Sequence, residues 1–130
     1  MRRRLFPAGL GGVDAALRDG HDALARRDFA GARAAFERAL AADPLHGAAH
    51  VALAELDRRE GRLDAAIAHY RSALARLPDE PGLVASLAGL LMDAGDWDDA
   101  RFLIERASGD SPALAAARER LARLRPPAQD

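Results

Sequence analysis

The chain repeats itself every 34 residues, and that period decides most of what it can fold into. Asp28-Phe29, Arg62-Leu63 and Asp96-Trp97 stand one period apart, as do Ala32, Ala66 and Ala100. Phe36, Tyr70 and Ile104 follow in the same register, then Ala39, Ala73 and Ala107. Gly61 and Gly95 match, with Arg27 in the first copy, and Pro44 matches Pro78. A unit this short cannot bury its own apolar face, so the copies must stack and share a continuous core.

Each copy reads as helix, turn, helix. In the second, Val51, Leu53, Ala54 and Leu56 precede Gly61, and Leu63, Ala66, Ile67, Tyr70, Ala73 and Leu74 then recur at three and four residues. Gly61 suits the left-handed position that ends a helix. Asp28 and Asp96 suit the N-caps of the second helices, whereas Arg62 does not. The prolines stop one copy and set the next turn. The predicted helices are 13–26, 29–42, 47–60, 63–76, 81–94 and 97–108. A seventh, 111–125, has Ser111 as its cap and Pro112 in its first turn. Its stripe of Leu114, Ala117, Leu121 and Leu124 is apolar and its other face is rich in arginine, which suits a cap on the last repeat. Residues 1–12 are expected to be a flexible arm and 126–130 a disordered tail. Alanine fills 32 of the 130 positions, so the apolar content consists of small side chains that let helices pack closely.

With these residues the chain resembles the tetratricopeptide repeat (TPR) family, with repeats at 13–46, 47–80 and 81–114 and a capping helix. The small signature residue at the eighth position is Gly20, Ala54 and Ala88, and the later signature positions match Ala32, Phe36, Ala39 and Pro44 with their equivalents. The chain departs from the family at the fourth position, where Ala16, His50 and Val84 replace a large residue, and at Asp19 and Ala23 of the first copy. The resemblance implies an all-α, right-handed α-α superhelix, a TPR solenoid of about seven helices. It also implies a concave face, lined by the first helix of each pair, that takes a peptide or helix of a partner protein.

Repeat positions place Arg18 and His21 of the first copy on that face, with Val51, Glu55, Arg58 and Arg59 of the second and Ser86, Gly89 and Met92 of the third. Arg18, Arg58 and Arg59 form a basic group able to fork onto carboxylates. Small residues at Gly82, Ala85, Ser86 and Gly89 leave room beside Met92 for an apolar anchor. The family's clamp for chaperone C-terminal carboxylates is absent, because Leu17, His21, Ala52, Gly82 and Ser86 occupy its positions. The expected function is a non-catalytic protein-protein interaction module: an adaptor, scaffold or accessory subunit. A secretion-type chaperone is one alternative. A self-assembling module joined through Leu5, Phe6 and Leu10 at its N-terminal end is the other.

Other chemistry finds little support. The chain has no Cys, Lys, Thr or Asn, which removes disulfides, cysteine zinc sites and lysine or cysteine nucleophiles. A net charge of −1 gives no bulk attraction to nucleic acid or anionic lipid. His46 and His50 have a two-ligand spacing but no third partner, and His21 and His69 read as isolated surface or groove residues. The aspartates Asp93, Asp96, Asp98 and Asp99 read as helix-capping charges, not a calcium loop. Trp97 reads as packing in an inter-helix turn. Neither catalytic residue, metal nor cofactor is expected. The run after Arg2-Arg3-Arg4 is broken by Pro7, Gly9, Gly11 and Gly12, so it does not read as a signal peptide. Arginine without lysine in an Ala- and Gly-rich chain fits a GC-rich bacterial coding bias, and a cytoplasmic location is expected.

Overall fold

The computed structural model describes residues 8–78 and 80–124, and for residues 8–11 the backbone alone. Among the described residues there are seven α-helices: α1 (Ala8–Ala25), α2 (Phe29–Ala42), α3 (Gly47–Arg59), α4 (Leu63–Arg76), α5 (Pro81–Asp93), α6 (Trp97–Arg106) and α7 (Pro112–Leu124). The 34-residue register therefore places every helix. The largest displacement is at the start of α1, where residues 8–12, expected to belong to the arm, are helical; the other boundaries fall within two residues of those expected. Glycine weakens a helix by about 1 kcal/mol per residue without forbidding it, and a helix already nucleated by packing extends at little cost. Residues 1–7 and 125–130 lie outside the described residues, and with them Leu5, Phe6 and the whole of the expected tail.

The turn inside each pair is built alike. The amide of Asp28 donates to the carbonyl of Ala23, that of Arg62 to Asp57 and that of Asp96 to Leu91, each at 2.8 Å. One residue before, the backbone is left-handed: Arg27 (φ 61°), Gly61 (φ 78°) and Gly95 (φ 85°). Glycine takes that conformation freely, whereas an arginine there is strained. At the helix starts, the Asp28 carboxylate accepts from the Gly31 amide at 2.9 Å and Ser111 Oγ from Leu114 at 3.0 Å. His46 Nδ1 caps α3 through the Ala49 amide, and Glu80 caps α5 through Gly82, each at 3.3 Å. Asp96 occupies the N-cap of α6 but makes no capping bond.

Helices α1 and α2, α3 and α4, and α5 and α6 pack as antiparallel pairs; α2 packs on α3 and α4 on α5, and α7 closes the stack against α5 and α6. The largest apolar cluster runs from α3 to α7 through Tyr70, Leu87, Leu91, Ile104 and Leu121. Two smaller clusters tie α1 and α2 to α3, around Phe36 with Leu53 and around Ala16 with Ala39. Close approach explains the small eighth position. A Cβ on Gly20 would fall 2.6 Å from the Phe36 ring, while Ala54 and Ala88 are fully buried. The result is an all-α, right-handed solenoid. No helix among the described residues is long and apolar enough to cross a membrane.

Candidate functional site

One stripe of α3 faces outward, Ala48, Val51, Ala52, Glu55 and Arg59, spaced at three and four residues, with the buried Leu56 beneath it. Together with His21 and Leu24 of α1 it forms a groove of about 690 Å³. Leu77, packed against Gly47 after α4, stands at one end of α3, and Arg27 and Phe29 of the α1–α2 turn stand at the other. Arg59 lies over the Phe29 ring, 4.4 Å from its centroid, and Arg27 lies 5.6 Å from the same centroid. Such stacking holds a guanidinium in place without neutralising it. Glu55 accepts a 3.0 Å hydrogen bond from the Tyr70 hydroxyl. Burial, then the neighbouring Glu55 carboxylate, pushes the Tyr70 hydroxyl up to about 12, so it remains a donor at neutral pH.

Of the residues expected on the concave face, His21, Val51, Glu55 and Arg59 meet in this groove. Arg18 and Arg58 are exposed outside its lining, and Ser86 is exposed on α5. The third-copy anchor site needs correction. Met92 is 3% exposed and sits inside the core, out of reach of a partner. The space beside Gly89 is taken by α7, whose Arg120 donates to the Gly89 carbonyl at 3.3 Å and pairs with Asp93. The capping helix therefore fills the place where an external anchor was expected. The Phe29 end of the groove lay outside the sequence reading, because it comes from the turn and not from a first helix. Arg27 in a glycine column was its visible trace.

The histidines also divide differently. His46 is a helix cap, so it does not share a site with His50. His50 is buried; its Nε2 lies 2.9 Å from the Pro44 carbonyl and its Nδ1 2.9 Å from Nδ1 of His69. His69 is thus neither isolated nor a groove residue. Its Nε2 is 3.8 Å from Oδ2 of Asp57, which is buried and bonded at 2.7 Å to Arg33. No group of three or more His, Cys, Asp or Glu among the described residues is placed to hold a metal ion. Trp97 packs against the main core.

The sequence of residues 17–81 and that of residues 57–124 each match a tetratricopeptide repeat family profile. Cellulose synthase operon protein C of Xanthomonas axonopodis pv. citri (strain 306) is 40% identical over 90 residues, which is 69% of this chain and 6% of that protein. The chain thus spans a small fraction of the length of that relative. Among solved structures, Pseudomonas aeruginosa PilF superimposes with a TM-score of 0.74 at 23% identity, over 91% of this chain and 55% of that one. The Sgt2 TPR domain of Aspergillus fumigatus superimposes with a TM-score of 0.75 at 21% identity, over 100% of this chain and 93% of that one. At these identities the structures bear on the fold.

Proposed function

The chain belongs to the tetratricopeptide repeat family, and from that premise we propose that it is a non-catalytic adaptor or accessory subunit that binds a segment of a partner protein in the groove between α1 and α3. One observation carries the reading: the α3 stripe and its flanks form a continuous, partly apolar channel with charged groups at defined points. That is the composition a peptide site needs, apolar walls for affinity and a few polar groups for register. The accessory-subunit form of the proposal draws on the relative named for a cellulose synthase operon.

The test fills the channel. Ala52 is half-buried on the groove wall, so Ala52→Trp occupies the channel while leaving the helix intact. Peptides selected from a phage-displayed random library on the wild-type chain are expected to shift the amide resonances of Leu24, Val51, Ala52 and Leu56, and to lose binding to Ala52→Trp. Selected peptides that bind the variant equally well would place the interaction surface elsewhere.

A further inference from the structure

We propose that the Phe29 end of this groove is a carboxylate-binding subsite, so that the partner segment is acidic, with an Asp or Glu beside its apolar side chains. The proposal rests on the groove reading above and names the chemistry of the occupant. The first observation is the backbone of Arg27. It holds the left-handed conformation (φ 61°) that the other two repeats give to Gly61 and Gly95, in a turn closed by the same hydrogen bonds. Glycine would relieve that strain, and strain kept in a fold concentrates at binding and catalytic sites. What the arginine adds is a guanidinium at the groove mouth, against Phe29.

The second observation is independent. Arg59 reaches the same ring from α3, so two guanidiniums stand against one aromatic side chain at the groove's end. Neither has an ion-pair partner among the described residues, and nearby carboxylates are committed elsewhere. Glu60 pairs with Arg33 and Arg62 at 3.3 Å each, Glu55 accepts from Tyr70, and Asp28 caps α2. Two arginines held by stacking and left without a counter-ion are organised to fork onto a planar anion. Glu55 stands one turn from Arg59 in the same groove. Two cations and one fixed anion are balanced by a monoanion, which favours a carboxylate over a phosphate dianion. The half-buried apolar groups of the groove, Leu24 and Val51, require that the acid be carried on a partly apolar segment.

The experiment selects phage-displayed random peptides on the wild-type chain and on an Arg27→Gly/Arg59→Gln variant. Wild type is expected to enrich Asp or Glu next to apolar residues, and the variant is expected not to. A synthetic copy of the best peptide should lose about tenfold in affinity or more when its acid is changed to the amide. It should lose a similar factor against the variant, with little further loss when both changes are combined. Arg27→Gly alone should lower affinity while keeping or raising the unfolding temperature, which separates lost binding from lost fold. Peptides that bind the groove without acidic preference, an acidic preference unchanged in the variant, or a selective gain with phosphopeptides would each overturn the subsite and leave the groove reading standing. Selection of no groove-binding peptide would overturn both.

Discussion

Asp57 stands in a column that the other repeats fill with Ala23 and Leu91, His50 in that of Ala16 and Val84, and His69 in that of Ala35 and Leu103. Three polar residues in apolar columns of one repeat meet in one place, and their hydrogen bonding follows from donor chemistry. The Pro44 carbonyl only accepts, so Nε2 of His50 carries the proton that faces it. With both rings neutral, His50 Nδ1 then accepts from His69 Nδ1, and His69 Nε2 is left bare toward Asp57 Oδ2. That accounts for the buried oxygen without a hydrogen-bond partner. Burial, and then the neighbouring His50, lower the His69 pKa below its ordinary value of 6.5; Arg33 acts in the same direction, Asp57 and Glu37 against it. The folded chain therefore refuses a proton that the unfolded chain takes up below about pH 6.5, so stability falls as pH drops through that value and rises as pH increases. Urea unfolding followed across this range should show the slope, and His69→Leu should flatten it. The network also costs desolvation that hydrocarbon would not. The triple change His50→Val, Asp57→Leu, His69→Leu copies what the third repeat carries and leaves Arg33 its Glu60 partner. It is expected to be neutral or stabilising by about 1–4 kcal/mol, whereas Asp57→Ala alone, which opens a cavity at a buried position and keeps both histidines there, should destabilise by about 2 kcal/mol. Urea midpoints of the two variants decide this; a triple variant weaker than wild type would mean the network contributes net stability.

At the scale of single helices, the two capping aspartates give a direct contrast. Asp28 bonds the Gly31 amide and Asp96 bonds no helix amide, although both precede an aromatic residue in the same column. Asp28→Ala should cost about 1 kcal/mol and Asp96→Ala only the helix-dipole part, about 0.3–0.5 kcal/mol, as read from urea unfolding; equal losses would show that the Asp96 carboxylate caps in solution. The same elements show what the sequence discloses. Helix positions follow from the register because the turn residues and Ala columns recur with it. The groove was legible where first-helix positions line it, at His21, Val51, Glu55 and Arg59. Arg27, Phe29 and Leu77 escaped because they lie in turns or at the helix end beside one, whose place over the groove depends on how consecutive pairs cross. Gly89 and Met92 were misplaced for a similar reason. The stripe of α7 announced a cap, but the face of α5 that it covers is fixed only when the helices stack. The His50–His69 contact joins two helices of one pair, and its sign in the sequence was the break in apolar columns rather than a spacing.

Across the whole molecule, the described helices pack against close neighbours in the stack, so stability is largely a sum of interfaces between neighbours along the core. The main cluster runs continuously from α3 to α7, and its last wall is α7, which buries Ala117 and Leu121, with Leu114 also buried on the same helix. Leu124, expected on that stripe, is 52% exposed and contributes little. Two buried leucines at about 2 kcal/mol each make α7 worth about 4 kcal/mol, a large share of the 5–15 kcal/mol that holds a typical domain together. Truncation after Asp110 should uncover the α5 face and free Asp93 from Arg120. It should therefore weaken the third repeat before the rest. Trp97, the single tryptophan, begins α6 and reports on that repeat, while circular dichroism reports on all helices. In the full chain the two signals are expected to fall together in urea. In the truncated chain Trp97 fluorescence should change at lower urea than the helical signal, and Leu121→Ala should give a smaller separation in the same direction. Coincident transitions in the truncated chain would mean that the repeats unfold as one cooperative unit and that α7 stabilises all of them equally.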